Sequence, residues 1–255
     1  MNLIPLPAFN DNYIWMLHDG QRALVVDPGD ASVVFDALRH LALKLDAILV
    51  THHHGDHTGG VSDLHQATGA QVFGPRHEHM PEPITRLQEG DLIEPLGQRY
   101  EVLDVPGHTA GHIAYWVQIT GQEPILFCGD TLFSAGCGRL FEGTPAQMLG
   151  ALTRLAALPD TTRVCCAHEY TASGLVFART VEPENQALIA YQERVKLLRE
   201  QHLPTLPSSI GLEKAVNPFL RSHFGTVITS VREFDPSAHD PVGIFAALRT
   251  WKDQF

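Results

Sequence analysis

The segment Thr51-His52-His53-His54-Gly55-Asp56-His57 constrains this chain more than any other. Three potential imidazole ligands (His52, His54, His57) and one carboxylate (Asp56), in the order His-x-His-x-Asp-His, fall within six residues. Neutral imidazole and carboxylate are the ligands that borderline divalent ions such as zinc prefer. Six consecutive residues cannot wrap all four ligands around one ion without severe strain. On an extended segment alternate side chains share a face, so His52 and His54 address one ion. Asp56 and His57, past the flexible Gly55, address another. Two metals close together form an arrangement suited to hydrolysis. Position excludes an affinity tag or a solvated patch. The run follows the mostly apolar, strand-like Leu45–Val50 and precedes Thr58-Gly59-Gly60 and a helix reaching about Thr68.

The first two thirds of the chain alternate short apolar strands with turns and helices. Ala23–Val26 reads as a strand closed by the turn Asp27-Pro28-Gly29-Asp30, and Ser32 to about Leu43 as a helix. Later strands are Gln71–Phe73, Tyr100–Val105, Ile113–Val117, Ile125–Cys128 and Val164–Ala167. Thr144-Pro145-Ala146-Gln147 carries a capping box with proline in the first turn, and opens a helix to about Ala157. From about Ala172 strand signals fade. Leu188, Tyr191, Val195 and Leu198 recur on one helical face, and Asp240-Pro241 opens a last helix. The pattern predicts a layered α/β domain over residues 1–171 and a smaller, mainly helical domain over 172–255.

Three more metal-type residues each follow an apolar strand: His108, Asp130 and His168. Alone, each would be an ordinary structural or turn residue. The repetition carries the reading, because strand ends gather along one sheet edge, where α/β folds place their sites. Among the 15 histidines, His53 reads as structural, and His112, leading into a strand, is a weaker candidate than His108.

The formal charge of −11 disfavours nucleic acid and anionic membranes as partners. An anionic substrate would need a local cationic patch. No apolar run approaches the ~20 residues that span a bilayer, and the N-terminal segment lacks the features of a signal peptide, so a cytoplasmic location is expected. None of the four cysteines (128, 137, 165, 166) forms a Cys-x-x-Cys pair, so reduced, buried thiols are expected rather than a thiolate metal site.

The motif His52-x-His54-x-Asp56-His57, with Gly107-His108-Thr109, Gly129-Asp130 and Ala167-His168, resembles the metallo-β-lactamase superfamily. That resemblance implies an αββα sandwich with a dinuclear site at one edge. Asp11-Asn12-Tyr13, Gly129–Phe133, Gly136–Arg139, Phe141–Thr144, His168–Thr171, Asn217–Arg221 and Lys252–Phe255 bring the chain closer to glyoxalase II, the hydroxyacylglutathione hydrolases of bacteria. The resemblance implies that His52, His54 and His108 hold one ion and Asp56, His57 and His168 the other, with Asp130 bridging. The ions would be zinc, with iron or manganese as alternatives. Asp56 and Asp130 would also serve catalysis by orienting a metal-bound hydroxide. Arg139, Phe141, Tyr170 and Arg221 would contact the glutathione part, although some relatives carry tyrosine in place of Phe141 and a bulkier residue in place of Gly55. The implied reaction is hydrolysis of S-D-lactoylglutathione and other S-(2-hydroxyacyl)glutathiones, in methylglyoxal detoxification, by a monomer. Two other readings stand beside it: sulfur dioxygenation at a single iron, and a non-catalytic metal- or glutathione-binding protein.

Overall fold

The computed structural model describes all residues, 1–255. The backbone forms two compact units. The first comprises Met1–Asp104, Ala110–Gly129 and Cys165–His168; the second comprises Val105–Thr109, Asp130–Val164 and Glu169–Phe255.

In the first unit, six strands form a sheet in sequence order: β1 (Asn2–Ala8), β2 (Asn12–His18), β3 (Arg22–Val26), β4 (Lys44–Leu49), β5 (Gln71–Pro75) and β6 (Thr85–Leu87). The pairings β1–β2 and β2–β3 are antiparallel, and those from β3 to β6 are parallel. Helix α1 (Ala31–Leu41) links β3 to β4, and α2 (Gly55–Thr58) and α3 (Val61–Thr68) link β4 to β5. The Asp30 side chain starts α1 by accepting from the Ser32 N–H. Val34 and Leu38 of α1 and Val61 and Leu64 of α3 join Ile14, Met16, Val25 and Ile48 in one core. Each fully buried aliphatic side chain of this kind stabilises the fold by about 1.5–3 kcal/mol.

A second sheet runs β7 (Leu92–Ile93), β8 (Tyr100–Asp104), β9 (Ile113–Val117) and β10 (Ile125–Gly129), with the strand that carries Cys165 and Cys166 beside β10. The two sheets face each other. The Trp15 Nε1–H donates to the Cys166 carbonyl at 2.8 Å, and the Tyr115 hydroxyl to the Val50 carbonyl at 2.8 Å. Burying a Trp or Tyr requires such a partner for its polar end.

In the second unit, Val105–Thr109 is followed by a hairpin, β11 (Leu132–Phe133) and β12 (Gly136–Cys137). Helix α4 (Pro145–Ala156) follows, with the expected Thr144/Gln147 capping box formed in full. The first half of β13 (Arg163–Cys166) pairs antiparallel with β14 (Ser208–Ser209). The rest is helical: α5 (Thr171–Val181), α6 (Gln186–Glu200), α7 (Ile210–Val216), α8 (Gly225–Phe234) and α9 (Pro241–Gln254). Ala135, Leu175, Ala178, Leu188, Tyr191, Val195 and Val216 share a core there. No helix is long and apolar enough to cross a membrane. All four cysteines are buried and none forms a disulfide.

Candidate active site

The first unit holds His52, His54, Asp56, His57 and His168, and the second holds His108 and Asp130. In the first, β4 delivers the chain to Val50, and the motif stays extended to His54 (φ −60°, ψ 146°) before α2 starts at Gly55. The extended half brings His52 Nε2 within 3.1 Å of His54 Nδ1, as alternation requires. The helical turn re-aims the next two ligands. Asp56 Oδ2 lies 3.5 Å from His57 Nε2 and 3.5 Å from His168 Nε2. The ligand atoms of Asp56, His57 and His168 all lie within 4.8 Å of one another, a spacing that suits one ion.

Acidic partners stand behind these rings. His168 Nδ1–H donates to Asp11 Oδ1 at 2.7 Å, and His57 Nδ1 lies 3.1 Å from Asp27 Oδ2. Each ring therefore turns Nε2 toward Asp56, which is how carboxylates orient metal-binding histidines. Asp27 also accepts from the Thr51 N–H (2.7 Å) and hydroxyl (2.8 Å), fixing the start of the motif. Asp27 sits at φ 53°, a left-handed conformation that Asp tolerates better than most residues. The Asn12 amide donates to Asp56 Oδ2 at 3.0 Å. The adjacent His57 imidazole holds the Asp56 carboxyl well below the usual carboxylate range against the opposing pull of burial, with Asn12 and His168 adding to the effect. An ionised carboxylate beside two imidazoles whose other nitrogens face carboxylates is a donor set that fits a divalent cation.

Close backbone approach packs this loop. A Cβ on Gly29 would fall 1.9 Å from the Asp56 carbonyl oxygen, so only glycine fits there. At Gly55 a Cβ would meet nothing within 4 Å, so packing does not require glycine there. His53 points away from the ligands: its N–H and Nδ1 both address Glu78 Oε2, at 2.6 and 2.9 Å. His112 stacks on His52, with ring centroids 4.6 Å apart.

In the second unit, His108 Nε2 lies 3.4 Å from Asp130 Oδ2. His108 Nδ1–H donates to the Arg139 carbonyl at 2.9 Å, leaving Nε2 to act as a ligand. A Cβ on Gly138 would fall 1.9 Å from the Asp130 carbonyl, so the 136–138 loop needs glycine there. Beside this pair opens a pocket of about 480 Å³, lined by Arg139, Phe141, Tyr170, Arg249 and Lys252 among others. Arg249 Nη1 donates to the Cys137 carbonyl at 2.9 Å, and Arg249 Nη2 bonds Asp253 at 2.8 Å. Burial lowers the Lys252 ammonium, and nearby Arg249 and Arg139 lower it further. Burial pushes the Cys137 thiol up to about 11, so it stays protonated at neutral pH. Three cations against Asp130 and Asp253 supply the local positive patch that the acidic chain needs for an anionic ligand.

Of the four expected glutathione contacts, Arg139, Phe141 and Tyr170 line this pocket, and Arg221 does not. Arg221 Nε and Nη2 bond the Glu182 carboxylate at 2.6 and 3.0 Å. The Phe141 ring meets the His108 ring edge-on at 5.2 Å and is otherwise largely exposed. Sequence reasoning did not place Arg249 and Lys252 in this pocket. Their spacing of three on α9, aimed to one side, was the available signal.

Residues 8–168 match the metallo-beta-lactamase superfamily, and residues 169–255 match the hydroxyacylglutathione hydrolase C-terminus. A hydroxyacylglutathione hydrolase of Albidiferax ferrireducens is 64% identical over 255 residues, covering 100% of both chains. Another, from Cupriavidus metallidurans, is 52% identical and covers 98% of each. Among solved structures, a protein crystallised in a di-iron-bound form superposes with TM-score 0.61 at 24% identity, covering 86% of this chain and 100% of the other. The chain belongs to the metallo-β-lactamase superfamily and, within it, to the hydroxyacylglutathione hydrolases, an enzyme family of αββα fold with an added helical C-terminal domain.

Proposed function

We propose that this superfamily member hydrolyses S-D-lactoylglutathione and related S-(2-hydroxyacyl)glutathiones to glutathione and the 2-hydroxy acid, in methylglyoxal detoxification. The observation that carries this reading is the Asp56/His57/His168 donor set of the first unit, in a chain whose second unit carries a pocket bearing Arg139, Arg249 and Lys252. His52, His54 and His108 would hold one divalent ion, Asp56, His57 and His168 a second, and Asp130 would bridge. All-N/O ligands suit zinc, and iron or manganese equally by ligand type. When bound, such ions supply an acidified water, its pKa lowered from 15.7 to about 7, and charge stabilisation at a carbonyl oxygen.

The chain's own residues do the rest. Asp27 and Asp11 fix the His57 and His168 rings. Asp56, whose carboxyl is held well below the usual range, and Asp130 orient the attacking water. Arg139, Arg249 and Lys252 bind the two carboxylates of the tripeptide, and Phe141 and Tyr170 wall its path, so the thioester carbonyl is presented in one orientation. The leaving thiolate has a free pKa of about 8.5 and needs no general acid. The reading takes the protein as a cytoplasmic monomer with no nucleic-acid or membrane partner, in keeping with its net charge of −11.

Loss of thioester absorbance with S-D-lactoylglutathione, beside oxygen uptake with glutathione persulfide, tests the reading. Hydrolysis without oxygen uptake supports it. Oxygen uptake with one iron per chain would instead establish the dioxygenase alternative.

A further inference from the structure

The segment Asn217-Pro218-Phe219-Leu220-Arg221 stood out in the sequence, yet Arg221 turns to Glu182 rather than to the pocket. Asn217 does something else. Its amide nitrogen donates to the Phe133 carbonyl at 3.0 Å, the Gly136 carbonyl at 2.9 Å and Glu213 Oε2 at 3.1 Å. Its own oxygen accepts from the Phe219 N–H at 3.1 Å, which fixes the amide's orientation.

Glu213, one turn earlier on α7, is fully buried. Burial raises its carboxyl above the ordinary range. Its Oε1 accepts from the Ser134 hydroxyl at 2.7 Å, and its Oε2 from the Ala135 N–H at 2.8 Å. All four residues of the β11–β12 turn, Phe133 to Gly136, are thus bonded to Glu213 or Asn217. Ala135 needs that support, because its φ of 58° is left-handed, a conformation that non-glycine residues keep only when neighbours over-determine it. A buried carboxylate is a costly way to hold a turn, since apolar packing of similar volume often serves stability as well or better.

The turn's position supplies a reason for that cost. Phe133, Ser134, Gly136 and Cys137 wall the pocket. Phe133 packs edge-on against Tyr170 at 5.3 Å, and the Cys137 carbonyl anchors Arg249. Moving the turn therefore moves an aromatic wall and a cation together.

We propose that Glu213, acting through Asn217, Ser134 and Ala135, is a positioning residue that fixes the β11–β12 turn as a wall of the pocket and thereby sets affinity for the glutathione part of the substrate. This rests on the hydroxyacylglutathione reading. Glu213→Gln preserves the network: its oxygen accepts from Ala135 and Asn217. Its NH2 donates to Ser134 Oγ, which turns its proton to the Tyr191 hydroxyl 2.9 Å away. Glu213→Leu and Asn217→Ala break the network.

The test uses the full-length, metal-loaded protein. It combines steady-state hydrolysis of S-D-lactoylglutathione with calorimetric binding of the unreactive S-methylglutathione. Glu213→Leu and Asn217→Ala should each raise KM and the S-methylglutathione Kd about tenfold, the size of one lost interaction. Their kcat should stay within about twofold of wild type, as should every constant of Glu213→Gln. A lowered melting temperature with unchanged KM and Kd, in whichever variants fold, would show a purely structural pair and overturn the inference. Wild-type protein that neither binds S-methylglutathione nor turns over the thioester would overturn the underlying reading instead.

Discussion

The ligand cluster of the first unit and the pocket of the second hold their functional groups in opposite ways. In the cluster, short side chains are fixed from behind by other short side chains: Asp27 on Thr51 and toward His57, Asp11 on His168, Asn12 on Asp56, Glu78 on His53. In the pocket, long side chains reach in: Arg139 is exposed and Lys252 half-buried, and Asp253 is the carboxylate that Arg139 and Arg249 share. The difference follows from what each must recognise. Metal ligation tolerates about 0.2 Å of error in distance, whereas attraction between charges falls only as the inverse of separation. Rigid support is concentrated where geometry is exacting. In the pocket it goes to the backbone of the β11–β12 turn rather than to the cations themselves.

This contrast can be broken or sharpened by substitution. The largest effect should come from His57→Ala, which removes a proposed ligand and leaves Asp56 and Asp27 facing a void. Activity should fall by more than about a hundredfold, the upper range for losing only a supporting contact. Chelator competition should show weakened binding of a metal. Asp27→Asn comes next. Asn tolerates the same left-handed backbone, so the change isolates the carboxylate that faces His57, and metal affinity should drop about 10–100-fold with the fold intact.

Lys252→Ala should act on KM alone, raising it about tenfold at low salt with kcat unchanged. That difference should shrink as salt screens the wild-type attraction. Arg221→Ala should leave KM and kcat unchanged and cost about 3 kcal/mol of stability, because it strands the buried Glu182 carboxylate. Burial pushes the Glu182 carboxyl up, but hydrogen bonds from Arg221 and Thr226 outweigh it and hold it below the ordinary 4.5. A depressed folded value means that this contribution is present above about pH 4.5 and is lost as pH falls through the folded value. Denaturant midpoints measured against pH should decline in that acid range in wild type, and less steeply in Arg221→Ala.

The same contrast explains how legible each region was. The cluster could be read because most of its donor residues are close in sequence, and alternation up to Gly55 put His52 and His54 on one face. The supporting acids, Asp11, Asp27 and Glu78, were not legible as such. An aspartate in Asp27-Pro28-Gly29-Asp30 reads as a turn residue, and only tertiary structure brings it to His57. β1 and β2 were missed because β2 is buried along its whole length and β1 carries two prolines, so neither shows the alternation of a half-buried strand. α5 and α8 were missed because neither opens on a capping side chain, and α7 because it spans only seven residues. The pocket was legible at Arg139, Phe141 and Tyr170, which sit in distinctive loops. It was not legible at Arg249 and Lys252, ordinary-looking cations near the C-terminus, and Arg221 drew attention through its motif although it belongs to an ion pair with Glu182.

The most direct measurement is steady-state hydrolysis of S-D-lactoylglutathione by metal-loaded protein, with Asp56→Asn and Lys252→Ala assayed in parallel. The account predicts turnover by wild type, loss of kcat in the Asp56 variant and a raised KM alone in the Lys252 variant. No turnover by wild type with its metals bound, or the same change in both constants for both variants, would contradict it.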